Sequence, residues 1–297
     1  DLHRRRHSFP TRRSSDLHGV WQIETPQLVG EVVAPKTTQS AWQIHLANVN
    51  LAHFDDAWQH SSFDLQKPIP AMDVRINKLQ LKTLFIPEIA FAIRPMTDGM
   101  AIQNLSLHLP VATITARGAT TQIHAQKMQT HIQGDMRGDH LKDLLTLFDM
   151  GDFMDADHVQ MHFNLFWPGA FWQFDRDQLT GHLSFTTQQG VLENISAQTN
   201  NKINLGRMLS LLSVQALPQH LSSHFNDMTE KGFPFSRLQG SFALDHQNLN
   251  DLDVQIQGAI AHVRLRGCVN LDNKHLYLVA QINPKVTGSL PMLAALA

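Results

Sequence analysis

At 297 residues, 42% of them hydrophobic, the chain is long enough to bury a large core, and its length allows one or two domains. The formal net charge is −2, and Cys268 is the single cysteine, which excludes an intrachain disulfide and a zinc site of the CxxC type. Positive charge is concentrated in the first 17 residues, where Arg4, Arg5, Arg6, Arg12 and Arg13 stand against Asp1 and Asp16; the remainder carries −5, a mildly acidic balance that argues against a nucleic-acid partner.

The opening string DLHRRRHSFPTRRSSDL has no apolar periodicity and closely resembles the translation of a sequencing adapter. Residues 1–17 are therefore expected to be an artefactual, disordered tail, set apart from fold reasoning. From His18 to about Ala57 short strands with loops are expected, with weak alternation in Trp42, Ile44 and Leu46, a slip, and then Val49 and Leu51. Residues 55–70, with paired aspartates and Pro68 and Pro70, read as a loop.

From residue 71 the chain is strand after strand. Met72, Val74 and Ile76 alternate with Asp73, Arg75 and Asn77, and the phase then slips by one residue to Leu79 and Leu81, as a β-bulge would cause. Ile89, Phe91 and Ile93 follow, then Leu105, Leu107, Leu109 and Val111. A helix is expected over 139–150, with Leu141, Leu144, Leu145 and Phe148 on one face. Val159, Met161, Phe163, Leu165 and Trp167 then alternate with polar neighbours up to the turn at Pro168-Gly169. Leu183 and Phe185 belong to the next strand, and Gln189-Gly190 reads as a hairpin turn.

A second helix is expected over 204–217, where Leu205, Met208, Leu209, Leu212 and Ala216 share one face and Pro218 stops it. Strands return with Leu252, Val254 and Ile256, then Val263 and Leu265, then Leu276, Leu278 and Ile282. The fold class is mostly β: a long antiparallel meander, curled into an open trough or closed as a sandwich, with two short amphipathic helices.

Catalytic and metal-binding patterns are missing. His158 and His162 are spaced HxxxH, but Val159 follows the first and the segment is a strand, unlike a zinc protease helix. Asp149, Asp152, Asp155 and Asp157 lack EF-hand offsets and read as a solvated loop. Asp55 and Asp56 are adjacent, a poor acid/base pair, and no GxSxG, P-loop or GxGxxG motif occurs. No enzyme, no cofactor and no metal is expected. A row of strands with one apolar face needs a cover: either a second sheet, which pattern alone favours, or a bound apolar ligand such as a lipid acyl chain.

Residues 205–242 resemble the most recognisable segment of the YhdP branch of the AsmA-like envelope proteins. The likeness rests on Gly206-Arg207, Leu209–Leu212, Phe225-Asn-Asp227, Lys231-Gly-Phe233 with Phe235, and Gly240, and on the turn Trp167-Pro168-Gly169 with Phe174 and Leu179-Thr-Gly181. It covers about residues 70–293. The chain departs from the pattern in Asn200-Asn201-Lys202-Ile203, where the family has a glycine-rich lead into its helix, and it stops before the family's last apolar helix and strand.

The resemblance implies the periplasmic part of an inner-membrane-anchored, bridge-like lipid transfer protein that moves phospholipid along an apolar β-groove towards the outer membrane. Its anchor and most of its β-structure are expected to lie outside this chain. Residues 18–70 would be one β segment of the groove and 71–297 the family-type region. Under that reading the groove is lined by Val159, Met161, Phe163, Leu165, Leu183, Phe185, Leu252, Val254, Ile256, Val263, Leu265, Leu276, Leu278 and Ile282, and covered by Leu205, Met208, Leu209 and Leu212. The rival is a non-enzymatic structural or assembly β-protein of the envelope.

Overall fold

The computed structural model describes residues 19–37, 39–51, 69–81, 84–124, 127–147, 154–192, 232–259, 261–273 and 275–285. The expected helix over 204–217 lies outside them, and with it Leu205, Met208, Leu209 and Leu212. So do the acidic positions Asp149 and Asp152.

Sixteen strands build one open sheet. The first nine are β1 (Val20–Glu24), β2 (Leu28–Val33), β3 (Trp42–Leu51), β4 (Met72–Ile76), β5 (Leu79–Leu81), β6 (Leu84–Ile86), β7 (Glu88–Met96), β8 (Gly99–His108) and β9 (Ala112–His124). Then come β10 (Lys127–His140), helix α1 (Leu141–Leu147), β11 (Met154–Pro168), β12 (Thr180–Leu192), β13 (Phe233–Asp245), β14 (Asn248–Gly258), β15 (Ala261–Asn270) and β16 (His275–Pro284). The order is β1-β2-β3-β4-β7-β8 and onward in sequence to β16, with β5 and β6 off this path beside β3. It is not closed into a barrel. By contact the chain divides into two compact units, and most of β1–β10 with part of β11 and β12 forms the first, while α1 and β14–β16 belong to the second.

The meander is antiparallel in its hairpins, and two pairings depart from that. Strands β4 and β5 both run parallel to β3, with Leu46 opposite Ile76 and Val49 opposite Leu79. The slip expected at Asn77-Lys78 is the break between β4 and β5. There the Asn77 N–H donates to Leu46 O at 2.9 Å, and the Val49 N–H donates to Lys78 O at 2.7 Å.

The helix begins later than the expected residue 139, and residues 148–150 lie outside the described ones. His140 ends β10, and α1 buries Leu144 and Leu145 while Leu141 packs on the second unit's core. Asp155 and Asp157, expected in a solvated loop, sit in β11. Gln189-Gly190 is not a hairpin: β12 runs through it, with Gln189 at φ 45°.

Gln189 is one of four non-glycine residues at positive φ where the burial phase of a strand shifts. Asn104 (φ 51°) separates Ile102 from Leu105, His158 (φ 53°) separates Ala156 from Val159, and Asp251 (φ 51°) separates Leu249 from Leu252. The pairing skips register between Ile102 and Leu105 of β8 and between Leu249 and Leu252 of β14. An extra residue in one strand restores the inward phase and sharpens local twist. The bulges therefore let long strands keep their apolar residues on one face.

Four phenylalanines lie over glycines of the neighbouring strand. A Cβ built on Gly134 would stand 2.8 Å from Phe163 Cζ, and one on Gly240 would stand 2.9 Å from Phe185 Cζ. At Gly190 and Gly258 it would press into Phe235 and Phe233. The missing side chain leaves a flat seat for the ring, so the aromatic lies along the sheet. Gly258→Ala is accordingly expected to destabilise the chain by about 1–3 kcal/mol, the usual cost of overpacking, and adding Phe233→Leu should recover part of it. Urea denaturation measures both; a neutral Gly258→Ala would remove the seat argument.

Candidate functional site

In the first unit, residues paired across strands share a face, and the pairings connect into rows. One row runs Ile23, Gly30, Leu46, Ile76, Ile89, Leu107, Ile114, Met136, from β1 to β10. A second runs Trp42, Met72, Ile93, Ile102, Gly118, Ile132. The rings of Trp21 and Trp42 stack at 5.6 Å on the same side. Along these rows one face of eight neighbouring strands is thus apolar.

The opposite face is polar in the same register. Its row is Gln22, Glu31, His45, Arg75, Ala90, Ser106, Thr115, Asp135. Exposed polar pairs lie on it: Glu31 faces His45 at 3.7 Å, Glu88 makes an ion pair with Arg75 at 3.7 Å, and Asp135 faces His162. Such pairs are worth about 0–1 kcal/mol each and mark a wet surface. Burial would raise the Asp73 carboxyl, but hydrogen bonds from Gln43 and Arg94 outweigh it and hold that group below the usual carboxylate range. A shallow depression of about 550 Å³ lined by Gln22, Glu31, His45 and Arg75 opens on this face too.

The second unit repeats the division. Leu252 pairs with Gly267 and Gly267 with Leu278; Val254 pairs with Leu265 and Leu265 with Ala280; Ile256 pairs with Val263 and Val263 with Ile282. Leu276 stands opposite Val269. The residues between them are Asp253, Gln255 and Gln257 on β14 and His262, Arg264 and Arg266 on β15. A hydrogen bond from Arg264 is the main cause of the lowered Asp253 carboxyl, against the opposing pull of burial.

The residues expected to line the groove are distributed over both units. Ile256, Val263 and Leu265 are buried in the second unit's cluster with Phe233, Phe235 and Leu238, and Phe185, Val254 and Ile282 pack against it. Phe163 and Leu165 pack on the first unit's cluster of Ile102, Ile132, Trp167 and Leu179. Val159 is buried. Met161 and Leu183 are half-buried and keep phase with these neighbours along their own strands.

Sequence reasoning missed much of the first unit's face. Met100 and Ile102 are fully buried, but the Asn104 bulge breaks the alternation that would have revealed them. Thr120 and Thr130 are fully buried on the apolar side as well; their joined hydroxyls, 2.8 Å apart, make a buried threonine acceptable there. The signal available was the glycine spacing Gly118 and Gly134 opposite large side chains.

Among the described residues no group of three or more His, Cys, Asp or Glu is placed to hold a metal, and no helix is long and apolar enough to cross a membrane. His158 lies at a bulge and His162 faces Asp135. What the described residues offer is a wide apolar sheet surface backed by a polar one.

Comparison with known proteins agrees with that chemistry. The family model described as YhdP protein matches residues 8–297. A relative in Escherichia coli (strain K12), the intermembrane phospholipid transporter YhdP, is 25% identical over 200 residues, which is 67% of this chain and 15% of that protein. The chain thus spans a small part of its relative's length. No solved structure matches. With its family model covering all but the first few residues, the chain belongs to the YhdP family.

Proposed function

We propose that this chain is the periplasmic part of an inner-membrane-anchored, bridge-like lipid transfer protein, and that phospholipid moves along its apolar β-groove towards the outer membrane. The observation that carries the reading is the division of each unit's sheet into one apolar face and one polar face. Each CH₂ transferred from water to such a face gains about 0.8 kcal/mol, so two acyl chains can be held with no polar anchor. The lining is uniform along the strands, which suits a cargo that slides, and the mechanism asks for no catalytic residue, cofactor, metal or nucleic acid. The relative's name as an intermembrane phospholipid transporter supports the same cargo. In this reading residues 18–70 continue the lining of residues 71–297.

The test is lipid extraction from the purified chain followed by mass spectrometry. Phospholipid held through gel filtration at a fixed ratio to protein is expected. A lipid-free chain that also fails to take up phospholipid from vesicles would favour a scaffold in which the apolar faces serve only to pack.

A further inference from the structure

The connection from β11 to β12 does not stay at the sheet's edge. It folds back over the apolar face of the first unit. Phe171 packs on the cluster of Ile102, Ile132, Trp167 and Leu179, and its ring lies 5.9 Å from that of Phe91 on β7. In the sheet order β7 is four strands away from β11. Ala170 beside it is buried. The segment Gly169–Leu179 is thus a strap laid across the very surface that the proposed function assigns to acyl chains.

The strap is held at its first residues. Gly169 takes φ 97°, a left-handed conformation that a side chain would strain, and turns the chain inward. Its N–H donates to Met128 O at 2.8 Å. Its carbonyl accepts from Thr130 Oγ1 at 2.8 Å. Because Thr130 spends its proton on Gly169, the 2.8 Å contact between the two threonine hydroxyls must be donated by Thr120. Trp167 Nε1 donates to Ala170 O, and the Ala170 N–H donates to Gln173 Oε1. Beyond this point the strap loosens: residues 174–178 are all exposed, and Phe174, edge-on to Trp167, is 49% exposed. Residues 174–178 are bonded mainly among themselves, in one 3-10 turn over Arg176–Gln178 capped by Asp175, so this stretch can hinge while Gly169–Gln173 carries the cover.

Two fully buried hydroxyls on an otherwise apolar face call for a reason, since polar groups there are costly unless bonded. Their one outlet is the Gly169 carbonyl. We propose that Gly169–Leu179 is a latched cover: Thr130, backed by Thr120, is the latch, and Phe171 occupies the seat that an acyl chain takes on Phe91, Ile102 and Ile132 when the strap lifts. The inference rests on the groove reading and adds control of entry to it.

The experiment uses the 297-residue chain with phosphatidylcholine vesicles carrying a diazirine in one acyl chain. After photolysis, labelled peptides are counted separately for β7–β10 and for β14–β16. Thr130→Val removes the latch at constant shape and is expected to raise labelling of β7–β10 roughly fivefold, the shift that losing one hydrogen bond of about 1 kcal/mol gives. Thr130→Ser keeps the hydroxyl and should label as the parent chain does. Phe171→Ala empties the seat and should raise labelling by at least as much, and it keeps the test open if Thr130→Val does not fold. Labelling of β14–β16 should be equal in all four proteins. Unchanged β7–β10 labelling in folded Thr130→Val and Phe171→Ala, with β14–β16 labelled normally, would overturn the latch alone. No labelling in either region would overturn the groove reading and the latch with it.

Discussion

Val254→Asp is expected to weaken phospholipid binding by more than about tenfold while the chain stays folded. Val254 lies on the apolar face of β14, opposite Leu265, and is only partly buried against the second unit's cluster. A carboxylate there displaces about two methylenes' worth of hydrocarbon contact, and at about 0.8 kcal/mol each that already exceeds a factor of about ten. Desolvating the charge against a bound chain adds to the loss. The unliganded protein is spared most of that cost, because a half-buried side chain can still hydrate its carboxylate. Gln255→Asp, one residue along and on the polar face beside Arg264, is the matched control and should bind within about twofold of the parent, as surface changes generally do. Titration with a fluorescent phospholipid, with circular dichroism to monitor folding, reads both. Equal weakening by the two variants would mean that the face carries no meaning for binding. The same change at Val263, which is 4% exposed, would confuse loss of lipid with loss of fold, because an unpaired charge would then enter the core.

The contrast between Val254 and Val263 also marks how far alternation can be read from the chain. Period-2 patterning places Leu252, Val254 and Ile256 on one face, and the register of β14–β16 brings Leu265, Leu278 and Ile282 to the same side. Alternation carries no information about direction, so the parallel pairing of β3 with β4 could not be foreseen. Nor does it survive a bulge. Where Asn104 inserts a residue at φ 51°, Ile102 and Leu105 look out of phase in sequence yet face the same way. Gln189-Gly190 reads as a turn through its glycine, yet the positive φ falls on Gln189 at a bulge inside β12, and Gly190 serves as the seat of Phe235. The strap is the largest omission. Pro168-Gly169 is a legible turn, but where Phe171 lands depends on Phe91, some eighty residues earlier and four strands away, and no local pattern encodes that.

Trp167→Ala should cost the chain about 3–5 kcal/mol of stability, the range for deleting a buried tryptophan. Trp167 is 4% exposed and sits in the first unit's cluster with Ile102, Ile132 and Leu179. It also makes two contacts that shape the strap: Nε1 donates to Ala170 O at 3.2 Å, and Phe174 stands edge-on at 5.4 Å. Removing the indole leaves a cavity too well walled by strands to collapse and frees the Ala170 carbonyl. Trp167→Phe separates the two effects. It keeps most of the ring and loses the hydrogen bond, so a cost nearer 1 kcal/mol is expected. Chemical denaturation should therefore rank the parent above Trp167→Phe and Trp167→Ala well below both. Because the first unit's core and the strap both depend on this side chain, hydrogen exchange in Trp167→Ala should rise at the Gly169 amide and at β10, where Met128 accepts it, while β14–β16 of the second unit keep their protection. Loss of protection in β14–β16 to the same degree would show that the two units unfold as one, and that the cluster around Trp167 supports the whole sheet.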